Sequence, residues 1–228
     1  MSASTTLPYQ DAFPYLSIAN LKSVISAADL DDLLRHMQVR TFAKGEFVFQ
    51  AGQPGQEIYL LRRGRVKLYR VSESGREVIM RMGAPGELFG LIDVLRGARR
   101  VITAEACGAC EVHVMTREQF RAYLQGHGEF ALQIMRLLAW HIHTLGELVE
   151  SLAADDVNTR LLKLLRWLSQ HYGVRNGQET YIALPLTHQE IASMVGATRQ
   201  TVTRTFVDLK RRGLVRYQGR HLLVGNAL

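Results

Sequence analysis

Apolar residues in the first half of the chain come in short runs: Phe47–Phe49, Ile58–Leu61, Val66–Val71, Val78–Met82, Val101–Ala104 and Glu111–Met115. Gly45, Gly52, Gly55, Gly64, Gly75, Gly83 and Gly86 stand between or beside them at the spacing of turns. Short strands interrupted this regularly predict a small antiparallel barrel or sandwich, closed on itself to hide its edges. A short helix over Ala27–Met37 precedes them. From about Glu118 the hydrophobic period lengthens to that of a helix. Within Phe130–Leu152, residues Ile134, Leu138, His141, Leu145, Leu148 and Leu152 recur at spacings of 4, 3, 4, 3 and 4. That alternation is an a/d seam and predicts pairing with a second copy of the helix. Packing within the chain is the alternative, and it favours a broader stripe of period 3.6.

The helix should end near Ala153–Asp156, where two carboxylates oppose its C-terminal dipole but suit the start of another helix. Asp155 or Asp156 is the expected N-cap of a helix over Val157–His171, and the pair is the expected hinge. Further on, Thr187 and Glu190 have capping-box spacing ahead of Ile191, Ala192, Met194 and Val195, the apolar side of a short helix. Gly196 supplies the positive φ of a tight interhelical turn. Thr198 can then cap a second helix that buries Val202, Phe206 and Leu209 and exposes Arg199, Gln200, Thr203 and Arg204. This is a helix-turn-helix, with its second helix free to enter a major groove. Leu214–Tyr217 and His221–Val224 read as a hairpin wing behind it.

The chain has 228 residues, with 28 basic and 21 acidic side chains, a formal +7. Residues 157–228 hold 11 of the basic and 3 of the acidic ones, a net +8, leaving 17 and 18 for residues 1–156, a net −1. All the excess charge therefore sits with the helix-turn-helix, which implies an anionic partner there. Arg can donate to guanine O6 and N7, and Gln can pair with the N6/N7 edge of adenine, so duplex DNA is that partner. Lys210, Arg211, Arg212, Arg216 and Arg220 are placed for phosphates, which add salt-sensitive affinity without sequence information. A charged, solvated helix with no ligand is the competing reading. No apolar run is long enough to span a bilayer, and residues 1–20 lack a secretion signal, so a soluble cytoplasmic protein without membrane contact is expected. Two cysteines cannot frame a disulfide scaffold. No nucleophile elbow, P-loop, paired catalytic carboxylates or metal cluster is present, so an enzyme is not expected.

From about residue 20 onward the chain resembles the CRP/FNR superfamily of bacterial transcription regulators. The resemblance is carried by Gly45–Phe49, Gly52–Gly55, Ile58–Leu68, Gly86–Gly90 and Leu186–Leu214. It implies an α+β fold with a cyclic-nucleotide-binding-type β-roll, a long dimerisation helix and a winged helix-turn-helix. The expected divisions are an N-terminal extension (1–20), a sensor domain (21–127), a dimerisation helix and hinge (128–156) and a DNA-binding domain (157–228). It further implies a homodimer reading a palindromic operator as an activator, with RNA polymerase contacted through Gly173–Gln178. The family's DNA contacts map onto Arg199, Gln200 and Arg204, and Thr203, Lys210 and Arg211 complete the expected DNA-binding set. Many members carry Glu at the position of Gln200, so the operator should differ there. A cyclic-nucleotide-type regulatory module acting through protein contacts is the alternative function, but the +8 segment would then have no purpose.

The resemblance places an effector pocket at Gly90, Leu91, Ile92, Arg99, Arg100, His141 and Leu145. In cAMP-binding members a Glu and a Ser or Thr stand where this chain has Leu91 and Val101, so a ribose acceptor and a phosphate donor are missing. Phe89-Gly90 followed by two aliphatics, Glu150–Ala153 and Thr201–Arg204 also resemble the cyanobacterial global nitrogen regulator, which senses 2-oxoglutarate. Arg99 or Arg100 can supply one cation for a dicarboxylate, but the second family arginine falls near His141. Neither ligand is favoured. A third possibility is a pocket filled by the protein's own side chains, with Leu91, Val101 and Leu145 doing the filling. His141 reads either as a register-fixing seam residue or as a ligand contact or proton switch. Cys107 and Cys110 have CxxC spacing, but with His113 the nearest further donor they read as structural, with no metal or cofactor.

Overall fold

The computed structural model describes residues 21, 24–73, 75, 77–176, 179–182, 186–218 and 221–225. The expected N-terminal extension and Arg220 lie outside them. The chain divides into two compact units, the first ending at Thr144 and the second beginning at Leu145.

The first unit opens with helix α1 (Ala27–Arg35), capped by the Ser26 hydroxyl, which accepts from the Asp29 amide. Eight strands follow: β1 (Gln38–Phe42), β2 (Phe47–Phe49), β3 (Glu57–Arg63), β4 (Val66–Val71), β5 (Glu77–Gly83), β6 (Leu88–Phe89), β7 (Thr103–Ala106) and β8 (Cys110–Thr116). They form two four-stranded sheets, ordered β1-β8-β3-β6 and β2-β7-β4-β5, with antiparallel pairing throughout. The alternate residues Tyr59 and Leu61, Val66 and Leu68, Ala104 and Ala106, and Val112 and Val114 turn inward to one core. At about 1.5–3 kcal/mol per fully buried large apolar side chain, this shared layer is what joins the two sheets. The strand expected at Val101–Ala104 runs instead over Thr103–Ala106, and Val101 is exposed.

Helix α2 (Leu91–Arg96) sits between β6 and β7, and α3 (Arg117–Gly126) begins at a full capping box made by Thr116 and Gln119. Helix α4 (Gly128–Ala154) is long, and it buries Phe130, Ile134, Leu137, Trp140 and Thr144 within its own chain. That face includes Ile134, one residue of the expected seam. Ile134 is only 3% exposed and spent on the chain's own core, and His141 and Leu148 are half-buried. The outward apolar line is Met135, Leu138, Ile142, Leu145, Val149 and Leu152, at spacings of 3, 4, 3, 4 and 3. Leu138, Leu145 and Leu152 belong to both lines, and the intervening positions move by one residue. Ile142, at 70% exposed, and Val149, at 65%, are among the most exposed large apolar side chains described.

Helix α4 stops at Ala154 and helix α5 (Val157–Tyr172) starts after two intervening residues, with Asp156 as N-cap accepting from the Thr159 amide. A sheet ordered β11-β12-β10-β9 follows, built from β9 (Gly173–Asn176), β10 (Glu179–Ile182), β11 (Val215–Gln218) and β12 (His221–Gly225). Strands β9 and β10 carry no apolar run of their own, which is why hydropathy alone omits them. Helices α6 (His188–Met194) and α7 (Arg199–Arg211) stand between β10 and β11 in the chain.

Candidate DNA-reading surface and sensor core

The Thr187 hydroxyl accepts from the Glu190 amide while the Glu190 carboxylate accepts from the Thr187 amide, so the start of α6 is held at both donors. Gly196 has φ +61°, the left-handed turn that lets α7 leave α6 within four residues. Thr198 caps α7 by accepting from the Thr201 amide. Val202, Phe206 and Leu209 are buried, whereas Arg199, Gln200, Thr203 and Arg204 are exposed and line one open depression with Thr198. These four side chains thus share the outward face of one helix. Lys210 and Arg211 are exposed in its last turn, where cations also favour the helix dipole.

Not every basic residue of the +8 segment faces outward. Arg160 is 8% exposed, and its Nε donates to the Val195 carbonyl at 2.8 Å and its Nη1 to the Asp155 carbonyl at 2.6 Å. It ties α5 to the turn between α6 and α7 and is not available to a phosphate. Arg216, expected among the phosphate contacts, makes a two-pronged bond to Glu179 at 2.7 and 2.5 Å, joining β11 to β10. His188, the first residue of α6, was not singled out from sequence. Its ring stacks on Phe206 with centroids 4.8 Å apart and planes at 17°. Burial, with the Arg199 cation, holds the imidazole below the usual histidine range.

The first unit brings the expected effector residues into unlike settings. Arg100 is 3% exposed; its Nη1 donates to the Gly90 carbonyl at 2.7 Å and its Nη2 to the Glu57 carbonyl. Its guanidinium lies 4.2 Å from the Phe49 ring centroid and 5.7 Å from that of Tyr59, with the Asp93 carboxylate at 3.8 Å. Tyr59 stacks on Phe89 at 5.2 Å. Gly90 is required here: φ is +76°, and a Cβ would lie 2.9 Å from Arg100 Nη1. Burial pushes the Asp93 carboxyl up, against the pull of Arg100. Leu91 is buried, but Ile92, Val101 and Leu145 are each more than 40% exposed. Arg99 is exposed and donates to the Gly52 carbonyl at 2.7 Å. Phe49, Tyr59 and Phe89 lie in the buried sheet core around Arg100, and a count of apolar replacements picks out none of them.

His141 is half-buried, its Nδ1 without a hydrogen-bond partner among the described residues, and burial with the Arg81 cation lowers its affinity for a proton. Cys107 and Cys110 are not joined in a disulfide; Cys110 belongs to the sheet core, and burial pushes its thiol up. Among the described residues no group of three or more His, Cys, Asp or Glu side chains could hold a metal ion. Among them, too, no helix is long and apolar enough to cross a membrane.

A two-sheet domain, a long helix and a winged helix-turn-helix with an exposed reading face together define a DNA-binding transcription regulator. Residues 39–127 match the cyclic nucleotide-binding domain and residues 159–226 the Crp-like helix-turn-helix domain. The global nitrogen regulator of Synechococcus elongatus is 32% identical over 192 residues, covering 83% of this chain and 86% of that one. A CRP-like cAMP-activated global transcriptional regulator of Mycobacterium tuberculosis is 28% identical over 212 residues, covering 93% and 95%. A CooA mutant structure from Carboxydothermus hydrogenoformans shares the fold with a TM-score of 0.75 at 20% identity, covering 93% of this chain and 94% of that one. The chain belongs to the CRP family of transcription regulators, which are not enzymes.

Proposed function

We propose that the protein is a homodimeric, cytoplasmic activator that reads a palindromic operator without needing a small-molecule effector. The observation that carries this reading is the division of α7 between buried Val202, Phe206 and Leu209 and exposed Arg199, Gln200, Thr203 and Arg204. In a major groove Arg199 and Arg204 suit guanine O6/N7 and Gln200 suits the adenine edge, each good two-pronged contact being worth about 1–3 kcal/mol of discrimination. Lys210 and Arg211 suit phosphates. The outward line Met135–Leu152 supports pairing of two α4 helices, which would present two copies of α7 to a two-fold symmetric site. Activation calls for a surface toward RNA polymerase, and the segment from Gly173 through β9 is the candidate; residues 177–178 lie outside the described ones.

Effector independence is supported by Arg100. Its terminal nitrogens already donate to Gly90 and Glu57, and aromatic rings occupy the space beside it. The test is a gel-shift titration at fixed salt on a palindrome selected from a random duplex pool. Arg199→Ala should abolish specific binding while the dimer stays folded, and unchanged affinity would refute the assignment. Neither cAMP nor 2-oxoglutarate should change the wild-type affinity; a tightening by either would restore the pocket to a sensing role.

A further inference from the structure

Three elements of the DNA-binding unit meet at one imidazole. His188 of α6 places Nδ1 2.9 Å from the Thr203 hydroxyl of α7 and Nε2 2.9 Å from the Tyr217 hydroxyl of β11. The Thr203 hydroxyl also donates to the Arg199 carbonyl at 2.8 Å, which uses its one hydrogen. Nδ1 must therefore carry a proton and donate to Thr203. In a neutral imidazole Nε2 is then an acceptor, and Tyr217 donates to it. With one ring face on Phe206, all the polar capacity of His188 is turned inward, leaving nothing for a phosphate.

We propose that His188 is the positioning residue of the reading surface, locking α7 against the wing and presenting the Thr203 hydroxyl to DNA as an acceptor only. Thr203 has one donor and two lone pairs; Arg199 takes the donor and His188 one lone pair. The remaining lone pair can accept from the amino group of adenine or cytosine and cannot donate to a guanine or thymine carbonyl. The side chain thus acquires a base preference that a free threonine hydroxyl lacks. This assignment rests on the reading of α7 as the recognition helix.

The test uses the full-length protein, the palindrome selected by wild type, and a non-specific duplex of equal length. His188→Leu removes both bonds and should weaken operator binding about tenfold, with non-specific binding and the slope of log affinity against log salt unchanged. Tyr217→Phe removes a single oxygen and should weaken operator binding about threefold. Added to His188→Leu, it should cost nothing further. Reselection with His188→Leu should lose the preference for an amino-bearing base opposite Thr203. A slope shallower by about one, with equal losses on both duplexes, would make His188 a phosphate contact and overturn the proposal. Should His188→Leu fail to fold by circular dichroism, Tyr217→Phe decides alone, and its wild-type affinity would overturn the proposal. Arg199→Ala separates the two levels. If it binds the operator normally, the reading of α7 fails and this assignment with it. If it loses the operator while Tyr217→Phe and His188→Leu keep wild-type affinity, only the role of His188 is overturned.

Discussion

The guanidinium of Arg100 lies 4.2 Å from the centroid of the Phe49 ring, inside the sheet domain, with its terminal nitrogens on the carbonyls of Gly90 and Glu57. The residue that family resemblance casts as an anion partner is thus 3% exposed and bonded to two backbone carbonyls of its own chain. Arg100→Leu leaves those two carbonyls and the buried Asp93 carboxylate without their partner, which should cost roughly 3–5 kcal/mol of domain stability. Arg100→Lys should recover little, because an ammonium cannot reproduce the planar fork or stack on the ring. Urea unfolding followed by tryptophan-independent circular dichroism checks both; wild-type stability in Arg100→Leu would show that the cation is dispensable.

Gln200 can both donate and accept along a base edge, whereas a carboxylate only accepts. Gln200→Glu should move the preferred base at one operator position from adenine toward cytosine, by about 1–3 kcal/mol. Parallel selection from a random duplex pool with both proteins reads this directly, and identical consensus sequences would place Gln200 away from the bases.

The outward line on α4 differs from the rival line by one residue at alternate positions. Ile142→Lys, at a 70% exposed site, should convert the proposed dimer to a monomer, as seen by light scattering. Leu148→Gln, on the rival line only, should leave the dimer intact. The reverse pattern would return the seam to its other register.

Glu87 is 4% exposed, and burial pushes its carboxyl up to about 8, against the attraction of Arg81. Between its ordinary 4.5 and about 8, the folded protein holds a proton that the unfolded chain has released. Stability should therefore fall as pH rises through that window. Glu87→Gln cannot titrate, so its advantage over wild type should grow from pH 5 to pH 8. Denaturant midpoints at three pH values check this, and a constant difference would mean that Glu87 ionises at its ordinary pH.

Local signals in the sequence identify the helix-turn-helix to the residue. Thr187, Glu190, Gly196 and Thr198 act through hydrogen bonds and dihedrals within a few residues of themselves, and the structure places each in its expected role. The strands β3, β4 and β8 are legible for a related reason, since alternation and glycine turns are also local. The net +8 of residues 157–228 locates the DNA-binding segment before any geometry is known.

What a side chain does with its polar atoms is settled by neighbours far along the chain. Arg100 meets Glu57 across 43 residues, Arg160 meets Val195 across 35 and His188 meets Tyr217 across 29. No spacing rule reaches that far, so a sequence counts all basic residues alike while the fold buries Arg100 and Arg160 and pairs Arg216. The seam follows the same logic. Both lines on α4 satisfy a heptad, and periodicity cannot choose between them. Tertiary packing distinguishes their residues: Ile134, Leu137 and Trp140 are buried in the chain's own core, while Ile142 and Val149 are left outside. Local chemistry in the sequence determined that there would be a long apolar helix and a DNA-reading helix. Only the packed fold decided which faces they show, because burial is a property of distant residues brought together.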